Sequence, residues 1–252
     1  MRSPLVAAKE LKVRGRAPSL PKGLRVYAFG DIHGRLDLLE KLLREIDADL
    51  AQCPATRPIY VFLGDYIDRG TWSRETIDLL IAHGAGRECV FLRGNHELIA
   101  IACLSDRTKF DQWLRLGGIE TLASYGVPPE LLANRRKIAE LQLAFHNALS
   151  PAHFQFFRGL RNSFTCGDYF FVHAGAKPEV ELSRQSESDL LWIRKEFLSS
   201  AYDFGKIIVH GHTPASEIEV RPNRINIDTG AFATGRLTCL VLEEESVSVI
   251  DT

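Results

Sequence analysis

Short apolar runs of strand length recur along the chain, and most of them empty into glycine and polar residues. They occupy residues 24–29, 59–62, 89–92, 169–172, 206–209 and 225–227 and are rich in valine, isoleucine, phenylalanine and tyrosine, as expected of strands buried within a sheet. Between the first two, Leu36, Leu39, Leu43, Ile46 and Leu50 recur at steps of three and four, which lays one apolar stripe along a helix. Pro54 and Pro58 then break the chain, so strand, helix and strand form a βαβ unit. Ser73 is expected to cap the next helix, whose apolar face includes Ile77, Leu80 and Ile81 and which Gly84 or Gly86 ends.

Over residues 98–160 the period turns helical, with breaks at Gly117-Gly118 and Pro128-Pro129. Ile138, Leu141 and Phe145 share one face there, and Ser150-Pro151 reads as a cap and first-turn pair. This stretch is a helical insertion covering one side of the strand ends, too embedded to be a separate domain. Strand character returns in a hairpin around Gly167-Asp168, a helix over residues 186–199 starts at the cap Ser186, and residues 237–242 and 247–250 close the chain as a second hairpin. Residues 1–23 carry Arg2, Lys9, Lys12, Arg14, Arg16 and Lys22 against Glu10, with scattered prolines, and read as a basic flexible arm. Residues 24–252 read as a single α/β domain.

What leaves the strands is more informative than the strands. The first ends in Gly30-Asp31-Ile32-His33-Gly34, the second in Gly64-Asp65-Tyr66-Ile67-Asp68-Arg69-Gly70 and the third in Arg93-Gly94-Asn95-His96-Glu97. Later ends carry His173-Ala174-Gly175, His210-Gly211-His212-Thr213 and Asp228-Thr229-Gly230. Adjacent strand ends of an α/β sheet converge on one crevice. Asp31, His33, Asp65, Asn95, His173 and His212 can therefore meet in space. His83, His146 and His153 lie in helical stretches and read as surface or packing residues, and His210 as a hydrogen-bonded structural histidine.

Carboxylate, imidazole and amide oxygen suit manganese, iron or zinc, and no thiol is among them. The set exceeds what one catalytic ion needs. Two divalent ions use it fully, manganese first, with Asp65 as the bridge, Asp31 and His33 on one ion and Asn95, His173 and His212 on the other. Such a pair yields a metal-bridging hydroxide for in-line attack on phosphorus. Arg69, Arg93 and Arg194 can stabilise the phosphoryl oxygens, with Trp192 packing to position Arg194. His96 can protonate the leaving alkoxide while Asp68 orients it.

Composition narrows the setting. A net charge of -1 exerts no general pull toward nucleic acid or an anionic membrane. The five cysteines include no Cys-x-x-Cys pair and are odd in number, which suits free thiols in a reducing cytoplasm. No signal-like apolar core opens the chain and no segment is long enough to span a bilayer, so a cytoplasmic protein is expected, with a monomer as the default.

The series Gly-Asp-Ile-His-Gly, Gly-Asp-Tyr-Ile-Asp-Arg-Gly, Leu-Arg-Gly-Asn-His-Glu, His-Ala-Gly and Gly-His-Thr, in that order, resembles the signature of the metallo-dependent phosphoprotein phosphatases. Leu-Leu-Trp-Ile-Arg at residues 190–194 and Ile-Asp-Thr-Gly-Ala at residues 227–231 resemble their bacterial and phage branch. The resemblance implies a calcineurin-like metallophosphoesterase sandwich of two mixed β-sheets flanked by helices, and agrees with the metal and arginine assignments residue by residue. It implies a serine/threonine phosphatase acting on phosphorylated protein or peptide. A bis(5'-nucleosyl)-tetraphosphatase, or another small-molecule phosphoesterase, is the alternative, and a non-catalytic metal-binding module the more distant one. Ile67 stands where valine is usual, and the tyrosine-containing C-terminal loop of the eukaryotic enzymes is absent.

Overall fold

The computed structural model describes residues 3–4, 16–134 and 136–252. Strands β1 (Ser3–Pro4), β2 (Leu24–Phe29), β3 (Arg57–Phe62) and β4 (Cys89–Phe91) belong to one sheet, with helices α1 (Leu36–Gln52) and α2 (Ser73–Gly84) between them. The insertion follows as α3 (Asn95–Ala102), α4 (Phe110–Arg115), α5 (Gly118–Ser124), α6 (Pro129–Leu132), α7 (Ile138–Ala148) and α8 (Pro151–Gly159). A second sheet uses β5 (Ser163–Cys166), β6 (Tyr169–Val172), β7 (Ile207–His210), β8 (Glu219–Arg221) and β9 (Arg224–Asn226), with α9 (Glu187–Trp192) and α10 (Lys195–Leu198) leading from β6 to β7. After α11 (Ala231–Thr234), the hairpin β10 (Thr238–Glu243) and β11 (Ser246–Asp251) returns to the first sheet.

The sheet orders are β1-β11-β10-β2-β3-β4 and β5-β6-β7-β9-β8. In the first, β2, β3 and β4 run parallel, and in the second β6, β7 and β9 do. The period of two along each strand decides the layers. Val26, Ala28, Ile59 and Val61 point between the sheets toward Phe171, Val209 and Ile225, while Tyr27, Phe29, Tyr60 and Phe62 point the other way into the core under the helices. Phe170, Val172 and Ile208 form a smaller core with Leu190, Ile193 and Phe197 on the far side of the second sheet. Each such buried side chain contributes roughly 1.5–3 kcal/mol. The seam between the sheets is therefore a main source of rigidity, and it sets the two groups of parallel strand ends side by side.

Several local expectations change. Ser73 is the first residue of α2 rather than its cap, and its Oγ accepts the Asp68 N–H instead. The helix expected over residues 186–199 is broken at Ile193 and Arg194 into α9 and α10, although Ser186 does cap α9 by accepting the Asp189 N–H. The short strand β8 carries too little apolar pattern to be read from sequence. His83 and His153 are buried: His83 packs edge-on against Tyr60, and His153 bonds Tyr125 and Asp78.

Of the arm expected over residues 1–23, residues 1–2 and 5–15 lie outside the described residues. Ser3–Pro4 pairs with β11, and the stretch from Arg16 is anchored. Asp168 pairs with Arg16 at 2.7 Å and accepts the Ser19 N–H, while Leu20 is buried and donates its N–H to Glu244. Residues 16–20 are thus tied to the Asp168 turn and to the β10–β11 turn. Among the described residues no helix is long and apolar enough to cross a membrane.

Candidate metal centre

The loops that leave β2, β3 and β7 adopt backbone conformations that side chains seldom tolerate. His33, Asp65, Asp68, Arg69 and His212 have φ values of 47°, 51°, 73°, 68° and 65°. Non-glycine residues held in the left-handed region cluster where the surrounding structure fixes them for a task. All five are among the residues that the sequence nominates.

Asp65 lies at the middle. Its Oδ2 is 3.4 Å from His173 Nε2, 3.6 Å from His33 Nε2 and 3.7 Å from His96 Nε2. One carboxylate oxygen is therefore common to two groups, His33–Asp65–His96 and Asp65–His173–His212, in each of which the ligand atoms lie within 4.8 Å of one another. In the second group His173 Nε2 is also 3.0 Å from Asn95 Oδ1 and 3.1 Å from His212 Nδ1. The His173 Nδ1–H donates to the Leu63 carbonyl, which leaves Nε2 as a bare lone pair facing other acceptors. The His33 Nδ1–H is likewise committed to the Ile67 carbonyl. The His173 Nε2 lone pair converging with Asn95 Oδ1 and Asp65 Oδ2, on an imidazole oriented by a backbone carbonyl, fits a cation. Asp31 joins the rim through the His212 N–H, which it accepts at 3.0 Å, and it lies against Asp228.

Glu97 holds this arrangement, a role the sequence reading missed. Its fully buried carboxylate accepts the N–H groups of Asp65, Tyr66, Ile67 and Gly94. Burial and the adjacent Asp65 push its proton affinity up, yet four N–H donors leave no place for a proton, so it serves as the carboxylate. Gly94 is required in the same place, since a Cβ there would sit 2.1 Å from Asp65 Oδ1. Glu97→Gln turns an amide NH2 toward backbone donors. It is expected to cost about 2–3 kcal/mol of stability, checked by urea unfolding in the presence of a chelator.

Proton affinities divide the histidines. Burial, then His96, lowers His33 to about 3; burial, then His173, lowers His212 to about 2; burial also lowers His173. These three stay neutral, the form in which an imidazole can hold a metal. Burial acts on His96 in the same sense, but Asp65 and the bond to Asp68 outweigh it and raise this one imidazole. Environments that push neighbouring groups apart separate their roles. His96 Nδ1 lies 2.7 Å from Asp68 Oδ2.

Of the three nominated arginines, Arg69 reaches the centre: its Nη1 and Nη2 lie 3.0 Å from His33 Nε2 and 3.2 Å from His96 Nε2, and its guanidinium stacks over Phe232. Arg93 bonds Glu187 and the Leu160 carbonyl, and Arg194 bonds Thr213 beside His212. Trp192 sits edge-on to His212, and His210 packs against Phe197, away from the centre.

The model of the calcineurin-like phosphoesterase family matches residues 24–240 of this chain. The chain belongs to that family. Among relatives of this calcineurin-like phosphoesterase, an asymmetrical bis(5'-nucleosyl)-tetraphosphatase of Anoxybacillus flavithermus is 27% identical over 250 residues, covering 89% of this chain and 93% of that protein. A Schizosaccharomyces pombe protein provisionally named a serine/threonine-protein phosphatase is 47% identical over 74 residues, which is 29% of this chain and 22% of that one. A crystal structure provisionally named a diadenosine tetraphosphatase superposes with a TM-score of 0.59 at 19% identity, over 90% of this chain and 93% of that one. The two-sheet architecture of this phosphoesterase is thus shared with its structural neighbours. Its His/Asp clusters are positioned to bind metal, as a metallophosphoesterase requires.

Proposed function

We infer that the protein is a two-metal phosphomonoesterase acting on phosphoserine or phosphothreonine in proteins or peptides. The observation that carries this reading is the buried His96–Asp68 pair beside the cation-binding groups. Serine and threonine alkoxides leave poorly and need a proton, whereas a nucleotide phosphate leaves without one, so a fixed proton donor is most useful to the first class. The metal ligands are Asp31, His33, Asp65, Asn95, His173 and His212.

Two bound cations, manganese first and iron or zinc as alternatives, supply Lewis-acid charge neutralisation and lower the pKa of water toward neutrality. Arg69 offers a forked donor pair to the phosphoryl oxygens, and Arg93 and Arg194 would add positive charge toward them. His96 holds the proton for the leaving oxygen on Nε2 and keeps its Nδ1–H on Asp68. Glu97 holds the Asp65 loop in register while this happens.

A second reading, hydrolysis of dinucleoside tetraphosphates, is favoured by the resemblance to the tetraphosphatase along almost the whole chain. A phosphothreonine peptide and diadenosine tetraphosphate, compared with Mn2+ present, separate the two. A kcat/KM for the peptide at least about tenfold higher is expected, and the reverse ratio would select the second reading. No turnover of p-nitrophenyl phosphate under the same conditions would leave a metal-binding module.

A further inference from the structure

We propose that Trp113 and Thr121, on helices α4 and α5 of the insertion, are positioning residues that hold Asp68 for the proton donor. This rests on the reading of His96 as the general acid. Asp68 is fully buried, and a buried carboxylate is costly unless its oxygens are met by donors. The Trp113 indole Nε1–H lies 3.1 and 3.0 Å from its two oxygens, and the Thr121 hydroxyl donates to Oδ1 at 2.6 Å. The same Thr121 oxygen accepts the Asp68 N–H at 2.9 Å. His96 takes the remaining direction on Oδ2, so each contact to Asp68 constrains where the imidazole points.

The insertion is shaped for this task. Trp113 is itself immobilised by edge contact with Phe110, ring centroids 5.4 Å apart, and by Phe145 at 4.9 Å. The Gly117 carbonyl accepts the Arg69 N–H at 3.2 Å, and at its φ of 107° a Cβ would come within 2.8 Å of Arg69. The turn between α4 and α5 is thus moulded on the left-handed Asp68-Arg69 backbone. Trp113 and Thr121 lie 45 and 53 residues from Asp68 along the chain, and neither belongs to a strand-end motif. The insertion does more than cover the strand ends: it braces the acid.

The test is Thr121→Val, nearly isosteric but without the hydroxyl, together with Trp113→Phe and the conservative Thr121→Ser. Each is measured with a phosphothreonine peptide and with p-nitrophenyl phosphate, whose nitrophenolate leaves unaided, alongside melting temperature and bound-metal content. For Thr121→Val the expected result is a kcat on the peptide about 10–100-fold lower at unchanged KM, less than about threefold change on p-nitrophenyl phosphate, and recovery in Thr121→Ser. Equal losses on both substrates, or no loss, in folded Thr121→Val at parental metal content would overturn the proposal. Should Trp113→Phe fail to fold, Thr121→Val decides. His96→Asn, run in parallel, separates the two layers: if it lacks the peptide-selective loss, the acid reading fails. If it has that loss and Thr121→Val does not, the positioning assignment fails.

Discussion

Asp65→Asn is expected to bring turnover below about one-thousandth of the parent, the scale lost when a principal electrostatic element is removed, and to leave fewer cations bound per chain. The expectation follows from one oxygen. Asp65 Oδ2 faces His33, His96 and His173 together. An amide keeps the shape and loses the charge, so the change tests electrostatics more than packing. Metal analysis of gel-filtered protein and steady-state rates read the outcome. Full metal content at the parental rate would show that the shared position is not occupied by a bridging ligand.

His96→Asn should lower kcat on a phosphothreonine peptide by about 10²–10⁴-fold, which is about 3–5 kcal/mol of barrier. On p-nitrophenyl phosphate the loss should be far smaller. Because its Nδ1 is committed to Asp68 and its proton affinity runs opposite to that of the neighbouring histidines, bound-metal content should stay at the parental level. The geometric grouping of His96 with His33 and Asp65 makes that measurement decisive. A variant that loses a cation would mark His96 as a ligand, and one that keeps full activity on the peptide would remove the acid role.

Much of this arrangement was legible in the chain itself. Short uninterrupted apolar runs mark β2, β3, β6 and β7, and the acids, amide and histidines just beyond them are the groups that converge. What the sequence hid was their support. Glu97 reads as the last letter of a motif, yet three of its four partners are backbone N–H groups about thirty residues away. Trp113 reads as one more aromatic on a helix, and Thr121 as an ordinary polar residue. Asp228 is adjacent to Asp31 because the chain leaving β9 packs against Gly30, at the end of β2 in the other sheet. Periodicity reports which face a residue occupies, and it says nothing about what faces it from a distant element. The break between α9 and α10 escaped for the same reason: both halves have good helical pattern, and tertiary packing bends the chain at Arg194.

The seam between the sheets has a further meaning for how the molecule becomes competent. Asp31, His33, Asp65 and Asn95 are carried beside one sheet, and His173 and His212 beside the other. The first portion alone brings His33, Asp65 and His96 together, whereas the group of Asp65 with His173 and His212 needs both. On the two-metal reading reactivity is then a certificate of assembly: a half-collapsed chain lacks the second cation position, and two-metal hydrolysis switches on only once its two walls have met.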